Sequence, residues 1–233
     1  MAGDRISHLA VALDTSDWSE YGDWIDRFGP RAAVLKVGLE AYVRWGPSAV
    51  ERARRSGARI FLDLKLHDIP NTVAGAVTSA AALGVSYLTV HASGGPAMLE
   101  AATAAGAGPV AILAVTLLTH LDRAELDALS LPGEAAERVL SWARLARSAG
   151  CAGVVCSPRE VAALRAEIER PFALVTPGIR LEALAADDDQ RRVATPEQAL
   201  ADGADLLVVG RPLTRSSAPD EVLERLAAAR ATR

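Results

Sequence analysis

Short apolar runs alternate along this chain with longer segments whose apolar residues have helical spacing. The runs are rich in Val, Ile and Leu, as expected of strands. We predict eight strands, at 8–13, 32–37, 59–65, 85–91, 110–116, 152–156, 172–176 and 205–209. The segments between them are rich in Ala, Leu, Arg and Glu, and they include predicted helices at 43–56, 72–83, 134–149 and 218–230. This alternation is typical of a parallel sheet built from strand-helix units.

The number and length of these units predict a closed barrel. Eight units in 233 residues leave about 29 residues each, enough for one strand, one helix and two short loops. An open doubly wound sheet is the alternative, but its first turn should read GxGxxG, and the first strand here ends in LDTSDW. We therefore predict an α/β fold, a (β/α)8 TIM barrel that forms a single domain over 1–233. Several helical segments end in glycine, as helix C-termini often do, at Gly57, Gly84, Gly150 and Gly203.

Composition and charge exclude several classes of protein. The chain carries 25 Lys and Arg against 29 Asp and Glu, a net charge of −4, and it has no basic run that would suit nucleic acid. No apolar stretch approaches the roughly 20 residues of a membrane span, and the start MAGDRISHLA does not resemble a leader. We expect a cytoplasmic protein without a nucleic-acid or membrane partner. Cys151 and Cys156 are expected to be reduced core thiols.

Charged side chains occur where several predicted strands end. In a barrel of this type the active site lies at those ends. Lys36 interrupts an apolar run, so a carboxylate should face it if it is buried; a lysine that snorkels to water is the alternative. Asp63 and Lys65 are two residues apart and should point to the same side of strand 3, although a structural salt bridge would give the same pattern. With Asp14 on the same rim, these four alternating charges predict a catalytic cluster.

The loops after strands 7 and 8 predict a phosphate site. They read TPGIR and GRPLT, and these two loops form the recurring phosphate site of TIM barrels. Gly178 and Gly210 would let backbone amides approach an anion, and Arg180 and Arg211 would supply charge and forked hydrogen bonds. The polar segment 182–192 between them has about the length of a lid that closes on a ligand.

One ten-residue segment carries a resemblance to a known family. DLKLHDIPNT at 63–72 resembles the signature of the orotidine 5′-monophosphate decarboxylases, which produce uridine monophosphate. The resemblance extends along the chain through VALDT (11–15), LKVG (35–38), LTVHASGG (88–95), VTLLTH (115–120), VTPGIR (175–180), DQRRVATP (189–196) and VVGRPLT (208–214). It implies a TIM-barrel decarboxylase that acts as a homodimer and uses no metal and no other cofactor.

The resemblance also implies a role for individual residues. Lys65 would donate a proton within a charge network of Lys36, Asp63, Lys65 and Asp68, and Asp68 and Thr72 would reach into the partner subunit's site. Asp14 and Lys36 would bind the ribose hydroxyls. The remaining substrate contacts would come from Thr119 and Pro177 at the pyrimidine and from Gln190, Gly210, Arg211 and Arg180 at the phosphate. Two departures from the family pattern are His120, where many relatives have Ser, and the acidic triplet 187–189, which Arg191 and Arg192 are expected to offset.

Two other functions fit parts of the sequence. A sugar-phosphate enzyme of the same wider group, such as a hexulose-phosphate synthase or a ketogulonate-phosphate decarboxylase, shares the Asp-x-Lys-x-x-Asp of strand 3. Those relatives use Mg²⁺ and favour a carboxylate at the end of strand 2, where this chain has Lys36. A non-catalytic phosphosugar-binding protein is the other alternative, and it would need no network of lysines and carboxylates.

Overall fold

Eight parallel strands close into a barrel in this computed structural model, which describes residues 5–108, 110–181 and 192–229. Each strand pairs with the next along the chain, and the last pairs with the first. The strands are β1 Ile6–Ala12, β2 Ala32–Val37, β3 Arg59–Leu66, β4 Tyr87–His91, β5 Ala111–Val115, β6 Gly153–Val155, β7 Ala173–Thr176 and β8 Leu206–Val209. All eight predicted strands are present, with ends within two residues of the predicted ones, and the predicted (β/α)8 fold is confirmed.

Helices follow the strands and surround the barrel. They are α1 Trp18–Phe28, α2 Leu39–Trp45, α3 Pro47–Arg54, α4 Pro70–Ala82, α5 Gly95–Gly106, α6 Arg123–Ala128, α7 Ala135–Ser148, α8 Pro158–Glu167, α9 Pro196–Asp202, α10 Arg211–Thr214 and α11 Pro219–Ala228. The glycines expected to end helices, Gly57, Gly84, Gly150 and Gly203, all have positive φ, as this role requires. Within the described ranges, no helix is both long and apolar enough to cross a membrane.

The helix predicted over 43–56 is wrong in its extent. Two helices, α2 and α3, occupy this region, and they meet at Gly46. Gly46 has φ 56° and ψ −139°, a conformation that ends α2, and Pro47 begins α3. The apolar spacing continues through this break, so the spacing alone did not reveal it.

The apolar core consists of two clusters, one between the strands and the surrounding helices and one inside the barrel. The larger cluster fills the space between the strands and the helices. The smaller cluster includes Val34, Phe61 and Leu113 and fills the barrel interior. Because strand side chains alternate, Lys36 follows Val34 and Asp63 follows Phe61 on the inward side. The inward positions thus change from apolar to charged toward the carboxyl ends of the strands, where the site is built.

Candidate active site

A cavity of about 580 Å³ opens at the carboxyl ends of the barrel strands. It contains most of the side chains that the sequence predicted for the site. Those that line it are Asp14, Lys36, Asp63, Lys65, Thr119, Pro177, Gly178, Arg180, Gly210 and Arg211. The barrel therefore brings together residues from β2, β3 and the loops after β1, β5, β7 and β8, which are far apart in the sequence.

The four predicted charges form a continuous chain of opposite signs. Lys36 Nζ lies 3.1 Å from Asp14 Oδ1 and 3.7 Å from Asp63 Oδ2. Lys65 Nζ lies 2.9 Å from both carboxylate oxygens of Asp63. The expectation that a carboxylate faces Lys36 is confirmed, and Lys36 is only 7% exposed, so it does not snorkel to water.

The buried members of this cluster keep their charges because they compensate one another. Burial by itself would lower the pKa of Lys36, but Asp14 and Asp63 raise it above its ordinary value. Burial would likewise raise the pKa of Asp63, yet the nearby Lys36 and Lys65 ammonium groups hold it below its ordinary value. Lys36 is therefore a cation and Asp63 an anion at neutral pH. Lys36 and Lys65 are the only lysines among the 25 basic residues of the chain.

A break in the β3–β4 ladder shapes this cluster. Leu62 pairs with Leu88 and Leu66 with Val90, so three residues of β3 lie opposite one residue of β4. Within this bulge Lys65 has φ 51°, a left-handed conformation that costs a residue other than glycine roughly 1–2 kcal/mol. Strained backbone of this kind concentrates at functional sites. Period-two alternation predicted the common side of Asp63 and Lys65 correctly, but it did not predict the bulge.

The β4 residue opposite the bulge, Thr89, was missed by the sequence analysis. It is fully buried, and its hydroxyl accepts a hydrogen bond from the Lys65 backbone N–H at 2.9 Å. The same hydroxyl donates to Asp63 Oδ1 at 2.9 Å. A polar residue at the centre of the apolar strand YLTVH was the available signal.

The two predicted phosphate loops both line the cavity. Arg180 and Arg211 both line it, next to Gly178, whose φ of 79° is readily adopted only by glycine. Two backbone hydrogen bonds join the ends of the segment after β7. The backbone N–H of Arg180 donates to the Ala194 carbonyl at 3.0 Å, and the backbone N–H of Ala194 donates to the Gly178 carbonyl at 3.3 Å. Further cavity residues that the sequence analysis did not select are Glu40, Thr214 and Arg215.

The predicted lid lies almost wholly outside the described residues. Residues 182–191, including Gln190, belong to that part, so their placement is not described. Arg192 is described, whereas the acidic triplet that it is expected to offset lies outside the described residues, so that expectation stays a prediction. Arg192 is 8% exposed, it pairs with Glu160 of α8 at 2.5 Å, and it donates to the carbonyls of Leu118 and Thr119 at 2.9 and 3.3 Å. Arg192 is therefore a buried connector between α8 and the loop after β5.

Asp68 and Thr72 do not join the cavity of their own chain. Asp68 follows β3, is exposed, and its Oδ1 accepts a hydrogen bond from the Ile69 N–H at 2.6 Å. Thr72 lies in the first turn of α4 and is also exposed. The other members of the network, Lys36, Asp63 and Lys65, are adjacent, as described above.

The described residues include no metal site and two cysteines, Cys151 and Cys156. Among the described residues, no three His, Cys, Asp or Glu side chains form a group that could hold a metal ion. Cys151 and Cys156 are free and buried, as expected, and Cys156 lies against the cavity. Burial raises the pKa of Cys151 to about 12 and also raises that of Cys156, so neither thiol forms an effective nucleophile.

Comparison with known proteins identifies relatives along nearly the whole chain. The chain is 52% identical over 223 residues to the orotidine 5′-phosphate decarboxylase of Thermobifida fusca (strain YX), a match that covers 94% of each chain. It is also 52% identical over 221 residues to the enzyme of that name from Anaeromyxobacter sp. (strain K), covering 94% of this chain and 96% of the relative. The crystal structure of orotidine 5′-phosphate decarboxylase from Lactobacillus acidophilus superposes with a TM-score of 0.83 at 36% identity, covering 97% of this chain and 99% of that one.

The family model drawn from such proteins gives the same assignment. The model described as orotidine 5′-phosphate decarboxylase / HUMPS family matches residues 7–226. This match covers β2 to β8 completely, all of β1 except its first residue, and every residue that lines the cavity. The chain belongs to the orotidine 5′-phosphate decarboxylase / HUMPS family.

Proposed function

We propose that this protein decarboxylates orotidine 5′-monophosphate to uridine 5′-monophosphate and CO2, the last step of de novo pyrimidine nucleotide synthesis. The observation that carries the proposal is the Lys65 ammonium group, which lines the cavity and lies 2.9 Å from both oxygens of Asp63. A cation fixed in this way is suited to a reaction in which negative charge develops on a ring carbon.

Lys65 has two roles in the proposed step. The bond between the ring carbon and its carboxylate breaks, CO2 leaves, and the electron pair stays on the ring carbon, which the pyrimidine delocalises poorly. The Lys65 ammonium group stabilises this charge and then donates its proton to the same carbon, and the resulting amine recovers a proton from water. Asp63 holds Lys65 in position, and the network of Lys36, Asp63, Lys65 and Asp68 supplies the charges, so no metal or organic cofactor is required.

The other cavity residues are assigned to the parts of the nucleotide. Asp14 and Lys36 bind the ribose hydroxyls, and Thr119 and Pro177 border the pyrimidine. The phosphate is held by Gly210 and Arg211 with help from Arg180, and the same role is proposed for Gln190, which lies outside the described residues. Arg180 follows β7, which lies four strands from β3 in the closed barrel. This placement on the opposite rim from Lys65 supports the assignment, because the anionic group and the reacting carbon lie at opposite ends of the nucleotide.

Lys36 counts against a sugar-phosphate enzyme of the same wider group. Such an enzyme needs oxygen ligands for Mg²⁺ at the end of the second strand. Here that position holds a buried ammonium group 3.7 Å from Asp63, and it would repel a divalent cation from the Asp63 carboxylate. The names of the 52% identical relatives support the same choice.

A homodimer completes the proposed site. Asp68 and Thr72 are exposed and lie outside the cavity of their own chain, which fits residues that serve a neighbouring site. In a two-fold dimer each chain would give its Asp68 and Thr72 to the partner's cavity and receive the partner's in return.

The direct test is a spectrophotometric assay with orotidine 5′-monophosphate in the presence of a chelator. We expect wild-type turnover to survive exhaustive chelation. Lys65→Ala should lose more than about 1,000-fold in kcat while its affinity for uridine 5′-monophosphate, measured by calorimetry, stays within a few-fold. Comparable turnover by Lys65→Ala would remove Lys65 from the mechanism, and activity that chelation abolishes and Mg²⁺ restores would favour the sugar-phosphate enzyme.

Mixing two inactive variants tests the shared site. Lys65→Ala and Asp68→Ala should each be nearly inactive alone. In a mixed dimer one site carries both lesions, and the other combines an intact Lys65 with an intact Asp68. Random pairing makes about half of the dimers mixed, each with one good site of two, so activity should recover to roughly a quarter of wild type. No recovery despite demonstrated subunit exchange would place Asp68 in its own chain's site.

A further inference from the structure

The bulge in β3 leaves a backbone donor that the strand ladder cannot satisfy. Between the pairs Leu62 with Leu88 and Leu66 with Val90, the N–H of Lys65 has lost its regular partner on β4. A buried N–H without an acceptor is unfavourable, and the left-handed conformation of Lys65 adds to the cost. The Thr89 hydroxyl takes the place of the missing carbonyl at 2.9 Å.

The protons around Thr89 can be assigned without ambiguity. A backbone N–H can only donate, so the hydroxyl oxygen accepts from Lys65. The ionised Asp63 can only accept, so the single hydroxyl proton goes to Asp63 Oδ1. Thr89 thus links the backbone of Lys65 to the carboxylate that its own side chain contacts.

These contacts fix both oxygens of Asp63. Oδ1 accepts from Thr89 and from Lys65, and Oδ2 accepts from Lys65 and lies 3.7 Å from Lys36 Nζ. Without the hydroxyl, the carboxylate could rotate about its last torsion and Lys65 could relax to an extended backbone. Either change would move the ammonium group away from the cavity.

We propose that Thr89 is a positioning residue for the decarboxylation, whose hydroxyl holds the left-handed turn at Lys65 and fixes the Asp63 carboxylate that aims the Lys65 ammonium group. The inference rests on the proposed function. Thr89 itself is fully buried and is not among the residues that line the cavity, so it acts through Asp63 and Lys65 and not on the substrate.

Thr89→Val removes the hydroxyl with little change of volume, and Thr116→Val is its matched control. Thr116 follows β5, is 2% exposed, and its hydroxyl donates its one proton at 2.9 Å to the backbone carbonyl of Val155, which is a neutral group. We expect kcat with orotidine 5′-monophosphate to fall about 10- to 100-fold in Thr89→Val, with KM changed less than about threefold. Thr116→Val should stay within about threefold of wild type in both constants.

The two lysines allow a readout that does not depend on activity. Protein labelled with ¹³C at lysine Cε should give one resonance each for Lys36 and Lys65, and a Lys65→Arg sample assigns them. We expect the Lys65 resonance of the substrate-free protein to shift and broaden in Thr89→Val and to stay in place in Thr116→Val. If wild type does not turn over the nucleotide, the proposed function fails, whereas an unmoved Lys65 resonance refutes the role of Thr89.

Conservative variants complete the test. Thr89→Ser keeps the hydroxyl and should recover kcat to within about threefold of wild type, and Thr89→Cys, a weaker donor and acceptor, should be intermediate. This series also replaces Thr89→Val if that variant does not fold. Equal kcat losses in Thr89→Val and Thr116→Val, or equal kcat in Thr89→Ser and Thr89→Cys, would overturn the proposal.

Discussion

Arg192→Met tests the buried connector that joins α8 to the cavity wall. The side chains of Arg192 and Glu160 are 10% and 7% exposed, so both charges are largely removed from water. Removing one partner of such a pair leaves the other charge buried and typically costs about 3–5 kcal/mol. The carbonyls of Leu118 and Thr119 also lose a donor. For a protein of this size we expect Tm to fall by roughly 6–20 °C.

The loss should depend on pH with a defined sign. Burial raises the pKa of Glu160 above its ordinary value of 4.5 even with Arg192 present, and removal of Arg192 raises it further. A carboxyl group whose pKa is higher in the folded than in the unfolded protein loses stability as pH rises above the unfolded value. The difference between wild type and Arg192→Met should therefore be smaller at pH 5 than at pH 7.5.

Equilibrium unfolding in urea at one protein concentration measures these differences. Arg147→Met is the matched control, because Arg147 lies exposed in the last turn of α7, and it should stay within about 0.5 kcal/mol of wild type. Adding Glu160→Gln to Arg192→Met removes the unpaired charge but keeps an acceptor for the Ser157 N–H, so it should recover part of the loss. A loss below about 1 kcal/mol, or one that neither varies with pH nor responds to Glu160→Gln, would refute the reasoning.

Three further outcomes are expected. Arg211→Ala should raise KM strongly and also lower kcat, because the binding energy of the remote phosphate contributes to the chemical step. For the same reason the nucleoside without phosphate should be a very poor substrate. Similar efficiency for nucleoside and nucleotide would contradict the assignment of the loops after β7 and β8 to the phosphate. Cys151 and Cys156 should react with a thiol reagent only on unfolding, since burial raises the pKa of both, and fast reaction of the native protein would contradict this. The pKa of Asp63 is lowered in the folded protein from its ordinary value of 3.8. The stability that wild type has over Asp63→Asn should therefore be present above pH 3.8 and decline as the pH falls below that value. Urea unfolding at several pH values measures this difference, and a difference that does not change with pH would contradict the pairing.

The sequence by itself determined the strand-helix repeat and the place of the site. Period-two and helical spacing are local properties of the chain, so all eight strands could be predicted, and with them the strand ends that carry Asp14, Lys36 and Asp63. The cost of burying an ammonium group was also enough to predict that a carboxylate faces Lys36. A charged residue in an apolar strand needs a partner of opposite charge, and this requirement can be recognised from a single sequence.

Only the tertiary structure decided which groups meet. Barrel closure brings Asp14 and Asp63 to opposite sides of Lys36, and the register of β3 against β4 places Thr89 opposite the bulge. It also buries Arg192 against Glu160, although the sequence around Arg192 is that of a polar loop. These pairings depend on contacts between segments that are distant in the sequence. Barrel closure and strand register bring those segments together, and no local pattern specifies either of them.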